Sequence, residues 1–288
     1  MKKRPSRMAV KKEKTLEMDA KERLALRQEA ARHRERRVLL TLEILFGAAL
    51  LIGAVGMIAA LRSYQAGESG YEQLRAAAQP AAVGKAETGG SEAGAADEEP
   101  GVDFSALWEQ CPDAVAWLSC PGTEIDYPVV QSADNEYYLR RLPTGEWNMA
   151  GSLFVDYRHA ADFSGPLTVV YGHNMKNGSM FGTLERYQKQ EWYEDHPSMT
   201  LETPEGPCVL QVLYGFTIPA QEWVERDFVC GENCAALLEY AQAHTVFDSG
   251  AEWEPGAPLA ALVTCDSRSD SDRFVLVCGV SREDGDRL

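Results

Sequence analysis

The stretch "LVTCDSRSDSDRFVLVCGV", residues 262–280, carries two apolar runs rich in β-branched residues on either side of a loop of Ser and Asp. Runs of this length, bounded by turn-forming polar residues, read as two strands joined by a loop. The first ends on Cys265 and the second opens on Arg273, so a thiol and a guanidinium stand where two strands meet a charged loop. Working back along the chain, similar short runs recur: "IDYPVVQ", "GSLFVDY", "PLTVVYGH", "SMTLETP", "PCVLQVLYGFTI" and "PLAALVTC". Gly, Pro, Asp or Asn separates them. Two helical patterns interrupt the series, "MFGTLERYQKQEWYEDH" and "CAALLEYAQAHTVF", and "DFSALWEQ" opens it as a short helix capped by Asp103 and ending before Pro112. Many strands and few helices predict a mainly β barrel or sandwich over residues 103–288.

Ahead of this region the composition changes twice. Residues 62–102, centred on "AGESGYEQLRAAAQPAAVGKAETGGSEAGAADEEPG", hold few bulky apolar groups, and the expectation is a mostly disordered spacer that cannot offset its ordering entropy. Residues 38–61, "VLLTLEILFGAALLIGAVGMIAAL", have no charge after Glu43 and read as one transmembrane helix. A cleaved signal peptide is the competing reading, although a preceding segment of 37 residues is long for one. Residues 1–37 form a basic tail with 14 Lys and Arg against 6 Asp and Glu. Its "RHRERR" cluster sets the N-terminus in the cytoplasm and the rest of the chain outside the cell. The whole chain carries −16, so the part after the tail carries −24, which excludes nucleic acid as its partner.

Of five histidines, His173 stands out, at the end of an apolar strand in "TVVYGHNMKNGSMFGTL" (168–184) with Gly on one side and a polar loop on the other. The other four lie in the basic tail or in polar and helix-end settings that suit a surface role. A Cys, a His and an Arg at three strand ends supply a nucleophile, an acid/base and a fixed cation for a developing oxyanion. Each alone is ambiguous, since buried free cysteines are common and inert. Of the six remaining cysteines, Cys208 and Cys278 fall in apolar strand patterns and are expected as core residues. Cys230 and Cys234, spaced CxxxC, are open to a bridge or a metal, but no paired CxxC or HExxH accompanies them. No catalytic metal and no cofactor are expected. Met175, Met180 and Phe181 are open to groove lining or to core packing.

"DAVAWLSCPGTEIDYPVVQSADNEYYLRR", "GSLFVDYR", "YGHNMKNGSMFGTL" and the terminal "LVTC…RF" resemble the class B sortases, in order and across residues 103–280. The resemblance implies a closed eight-stranded β-barrel with N-terminal helices and a helix inserted between late strands. It implies a catalytic triad of His173, Cys265 and Arg273. Thr264, Asn174 and Met180, near these positions in the chain, are expected as substrate-binding residues. It also implies a membrane-anchored cysteine transpeptidase that cuts a C-terminal sorting signal of secreted proteins after Thr and passes the chain to an amine of peptidoglycan or a pilin, on a Gram-positive cell surface. Ala261 stands where the family's usual Thr-Leu-x-Thr-Cys has its first Thr. Arg268 is a second arginine in the loop, but Arg273 opens the closing strand, where the family's arginine sits. Two other classes stay open: a surface cysteine peptidase that hydrolyses without transfer, and a tethered binding module whose Cys and His are structural.

Overall fold

The structure, a computed structural model, describes the backbone of residues 7–79, 101–228, 234–251, 253–254, 256–266 and 269–282. The chain divides into two compact units, Met1–Arg62 and Ser63–Leu288. The helix α1 (Arg7–Ala78) enters both. Within the first unit the large apolar residues from Val38 to Leu61 are exposed. The unit's single described helix is long and apolar enough, by length and composition, to cross a membrane. Cys230 and Arg268 lie outside the described residues.

The second unit is built on a closed barrel with strand order β1-β2-β3-β4-β7-β8-β6-β5. The strands are β1 (Ala114–Ser119), β2 (Asp126–Val130), β3 (Leu153–Val155), β4 (Leu167–Tyr171), β5 (Ser198–Thr203), β6 (Gly206–Pro219), β7 (Leu259–Asp266) and β8 (Ser269–Arg282). Six neighbouring pairs are antiparallel, and two, β2 with β3 and β4 with β7, are parallel. The period-2 alternation of the late strands divides their side chains between two cores. Ala260, Leu262, Phe274, Leu276 and Cys278 join the larger cluster with residues of β1, β2 and β5. Leu259, Ala261, Val263, Val275 and Val277 join the other, covered by Leu237 and Ala241 of a helix. That helix, α5 (Cys234–His244), lies in the connection between β6 and β7 together with the short α4 (Ala220–Glu225), as expected for an inserted helix. Burying one Leu, Val or Phe side chain contributes about 1.5–3 kcal/mol, so a strand buried on both faces is held firmly.

Four further short helical elements stand among the described residues of the unit: α2 (Phe104–Gln110), whose Asp103 side chain accepts from the Ala106 N–H at 3.1 Å, a 3-10 turn at Tyr137–Arg140, a second 3-10 turn at Leu184–Gln188, and α3 (Gln190–Asp195). Cys208 and Cys278 are buried core residues. Cys234, half-buried, donates from Sγ to the Pro166 carbonyl at 3.5 Å.

One expectation is corrected. The first part of the supposed disordered spacer is helix up to Ala78, and Tyr71, Leu74 and Ala78 are buried. Tyr71 Oη donates to the Gly151 carbonyl at 2.6 Å, and its ring meets Tyr127 edge-on with centroids 4.9 Å apart. Arg75 pairs with Asp126 at 2.8 Å. Small residues in this stretch are there for close approach: a Cβ on Gly67 would stand 3.2 Å from Asn148 Nδ2, and one on Gly70 would stand 3.1 Å from Leu142 Cδ1. Residues 80–100 of that stretch lie outside the described residues.

Candidate active site

Three elements converge at one rim of the barrel. β7 and β8 are antiparallel neighbours, and their register sets Cys265 opposite Arg273. β4 runs parallel to β7 on its other side, with Tyr171 abreast of Val263, and the Gly172 N–H continues the ladder to the Val263 carbonyl at 3.1 Å. His173 follows directly. Adjacent strands lie about 4.8 Å apart, so the backbones at 173, 265 and 273 occupy neighbouring positions across three strands.

The segment after His173 is closed by its own hydrogen bonds. The Phe181 N–H donates to the His173 carbonyl at 3.0 Å, and Asn174 and Met180 form an isolated antiparallel bridge. Gly172 and Gly182 allow the closure. A Cβ on Gly172 would come 2.5 Å from Leu153 Cδ2 and 2.6 Å from Phe181 Cδ2, and one on Gly182 would overlap the Met175 carbonyl oxygen.

The imidazole is oriented from a separate part of the chain. His173 Nε2 lies 2.7 Å from the carbonyl oxygen of Leu139, in the 3-10 turn at Tyr137–Arg140. A carbonyl only accepts, so Nε2 carries the proton in this bond, and Nδ1 is left as the nitrogen that takes up or gives a proton. Arg273 Nη1 donates to the Asp272 carbonyl at 2.9 Å. A groove of about 370 Å³ joins these groups, with Leu139, His173, Val263, Thr264, Arg273 and Arg158 among its walls.

Arg158 brings a buried network to the groove. Its Nε donates to Asp156 Oδ1 at 2.8 Å and its Nη2 to Oδ2 at 2.6 Å, a bidentate pair on a fully buried carboxylate. Asn135 Nδ2 donates to Oδ2 at 2.8 Å and the Tyr171 hydroxyl donates to it at 3.3 Å. Burial alone would raise the Asp156 carboxyl, but the hydrogen bonds from Arg158 and Asn135 outweigh it and hold the group below the usual carboxylate range. Tyr171 is pushed up, by burial first and then by the Asp156 charge beside it.

The expected site residues separate into two groups. His173, Thr264 and Arg273 line the groove. Thr264 is buried, and its Oγ1 has no hydrogen-bond partner among the described residues. Asn174 turns away, donating from Nδ2 to Glu185 at 3.0 Å. Met180 is a correction: it is 1% exposed, sits in the larger core with Phe181 and does not line the groove. Its backbone takes φ 55°, the left-handed turn that closes the loop and swings the thioether inward. Sequence reasoning missed Leu139, which acts through its carbonyl and so leaves no side-chain signature. It also missed the Asp156–Arg158 pair, although an acid and a base two residues apart at the end of an apolar strand was a readable signal.

Cys111, Cys120 and Cys278 are buried free thiols. Burial, with the nearby Asp113 charge adding to it, pushes the Cys111 thiol up to about 12, and burial raises Cys120 and Cys278 as well. Thiols held so far above neutral pH carry almost no thiolate and are poor nucleophiles.

No family model matches the chain. It is 33% identical over 166 residues to sortase B of Listeria monocytogenes, an alignment that covers 57% of this chain and 68% of that one. Among solved structures, the Staphylococcus aureus sortase B–substrate complex superposes with a TM-score of 0.57 and 28% identity, over 62% of this chain and 85% of that one. A Bacillus anthracis protein described as similar to sortase B gives a TM-score of 0.61 and 28% identity over 75% and 96%.

Proposed function

Because this chain belongs to the class B sortases, which are cysteine transpeptidases, we propose that it cuts a C-terminal sorting signal of secreted proteins after a Thr and joins the new carboxyl end to an amine of peptidoglycan or a pilin. The Cys265 thiolate attacks the Thr carbonyl carbon, and the tetrahedral adduct collapses with cleavage of the C–N bond. His173 gives the departing amine its proton through Nδ1, and a thioester to Cys265 remains. The acceptor amine then attacks the thioester, Nδ1 takes its proton, and the thiolate leaves. Arg273 keeps its charge throughout and stabilises the oxyanion in both halves. Thr264 forms part of the groove wall beside the reacting carbonyl.

The observation that carries this reading is the strand register, which sets Cys265 opposite Arg273 while His173 follows β4 on the other side of β7. The Leu139 carbonyl supports it further, because it leaves Nδ1 as the proton-exchanging atom. The apolar stretch 38–61 anchors the enzyme with the basic tail in the cytoplasm and the barrel outside. Its support is hydropathy and charge asymmetry.

The test is mass spectrometry of the full chain, incubated with a Thr-containing sorting peptide and with or without an added amine. A thioacyl adduct on the Cys265 peptide, absent from Cys265→Ala, and an amine-linked product are expected. An adduct on another cysteine would overturn the assignment. Release of the free acid alone in the presence of amine would make the protein a hydrolytic peptidase.

A further inference from the structure

The most exposed aromatic side chain on the second unit is not part of the groove. Trp147 is 63% exposed and Met149, two residues on, is 43% exposed, whereas Asn148 between them is buried. The loop that presents them is firm. Leu142 N–H donates to the Glu146 carbonyl at 2.8 Å, Arg141 and Trp147 form a bridge, and Arg141 Nη1 donates to the Gly145 carbonyl at 2.9 Å. Two large apolar side chains are therefore held out in water by ordered backbone. Trp favours the membrane–water interface, where its ring is buried and its N–H stays hydrated.

Asn148 says where this loop lies along the chain's path. Its Nδ2 donates to the Ser63 carbonyl at 2.9 Å. Ser63 is only two residues beyond Leu61, the end of the apolar stretch. Two residues of fully extended chain span at most about 7 Å. The polar layer on each side of a bilayer's hydrocarbon core is about 5–8 Å thick. Whatever path Arg62 takes, Ser63 and the Asn148 amide bonded to it stay at the height of the lipid headgroups if Leu61 ends the membrane span. Tyr64, 37% exposed, adds a second amphipathic ring next to Ser63.

We propose that Trp147 and Met149 insert into the headgroup layer of the membrane and form a second, non-covalent attachment of the catalytic unit beside its anchor. The proposal rests on the reading of residues 38–61 as a membrane span. Neutral lipid is enough, because the part of the chain after the basic tail carries −24 and gains nothing from an anionic surface. The loop also holds the active site: the 3-10 turn that supplies the Leu139 carbonyl to His173 lies within the same run of chain, and the Ser152 N–H donates to the Tyr138 carbonyl at 3.0 Å. Seating the loop fixes the height of the groove above the lipid.

The experiment uses the full chain in phosphatidylcholine vesicles, with tryptophan emission compared between ordinary and dibrominated acyl chains. All six tryptophans lie beyond residue 62, so the quenched emission reports on the catalytic unit alone. Bromolipid quenching in the wild type, reduced by at least half in Trp147→Phe and unchanged in Trp108→Phe, is expected. Trp108, 42% exposed, serves as the matched control. Equal quenching in wild type and Trp147→Phe, or none in either, overturns the proposal. Flotation of the chain with the vesicles through alkaline carbonate separates the two readings: a chain that floats without Trp147 quenching retains its anchor and loses only this contact, and a chain that does not float loses both.

Discussion

Thr264 lines the groove and Asp156 lies buried behind it, paired with Arg158 of its wall, and opposite physical situations govern them. Thr264 Oγ1 is a buried hydroxyl with no partner among the described residues, which is a cost to the folded state. Thr264→Val removes the hydroxyl and keeps the shape. The expected result is an unfolding free energy equal to the wild type or above it by no more than about 1 kcal/mol, read by thermal melts, with kcat/KM held within about threefold. A larger fall in kcat/KM would put the hydroxyl itself in the reaction. Asp156 is the reverse, a buried charge with every acceptor position used. Its folded-state value is depressed, so its contribution is complete above the ordinary carboxylate value near pH 4 and is lost as pH falls through the depressed value. Asp156→Asn should cost about 2–3 kcal/mol at pH 7 and flatten the acid limb of stability against pH below about 4, measured by thermal melts across pH. An unchanged acid limb would remove Asp156 from the account. The residue types at 173, 265 and 273 were legible because Cys, His and Arg carry their chemistry in side chains. The Leu139 carbonyl was not, since every residue has one.

At the scale of elements, the loop between β4 and the 3-10 turn at Leu184–Gln188 is where sequence motif and backbone geometry meet. Two of its glycines, Gly178 and Gly182, serve different ends. Gly178 takes φ +87°, and a Cβ there would meet only Glu124 and Thr183 side chains at 3.6 and 3.8 Å. Gly182 has ordinary φ but no space, since a Cβ would collide with the Met175 carbonyl and with Gly178 backbone at 2.9 Å. Gly178→Ala should therefore cost about 1–2 kcal/mol, the left-handed penalty, and leave turnover close to wild type. Gly182→Ala should cost more than Gly178→Ala and lower kcat, because the loop that carries His173 must open. Thermal melts and steady-state kinetics of the pair check this, and equal behaviour of the two would refute it. Seven strands of the eight were readable as short apolar runs. β1 was missed because Ala116, Trp117 and Leu118 are buried in succession, so the alternation that marks a half-exposed strand is absent.

For the molecule as a whole, the packing of residues 63–78 decides what counts as the catalytic unit. Their composition, small and polar, imitates a linker. Yet Tyr71 is buried and bonded to Gly151, and Leu74 is 1% exposed. Tyr71→Ala should cost about 3–5 kcal/mol, a fall of roughly 6–20 °C in Tm for a unit of this size, while the exposed Glu72→Ala should leave Tm unchanged. Calorimetry of the full chain reads both. Equal melting of the two variants would return residues 63–78 to the spacer.

The sequence by itself determined the strand-rich class, the apolar stretch, the acidic character of the catalytic part and the three reactive residue types, because periodicity, hydropathy and charge are local properties of a chain. Only the tertiary structure decided that a glycine-bearing helical stretch belongs to the barrel, that Met180 turns into the core, and that a carbonyl 34 residues upstream holds the imidazole. Each of these depends on what packs against the residue, and packing partners distant in sequence leave no mark on the residue they touch.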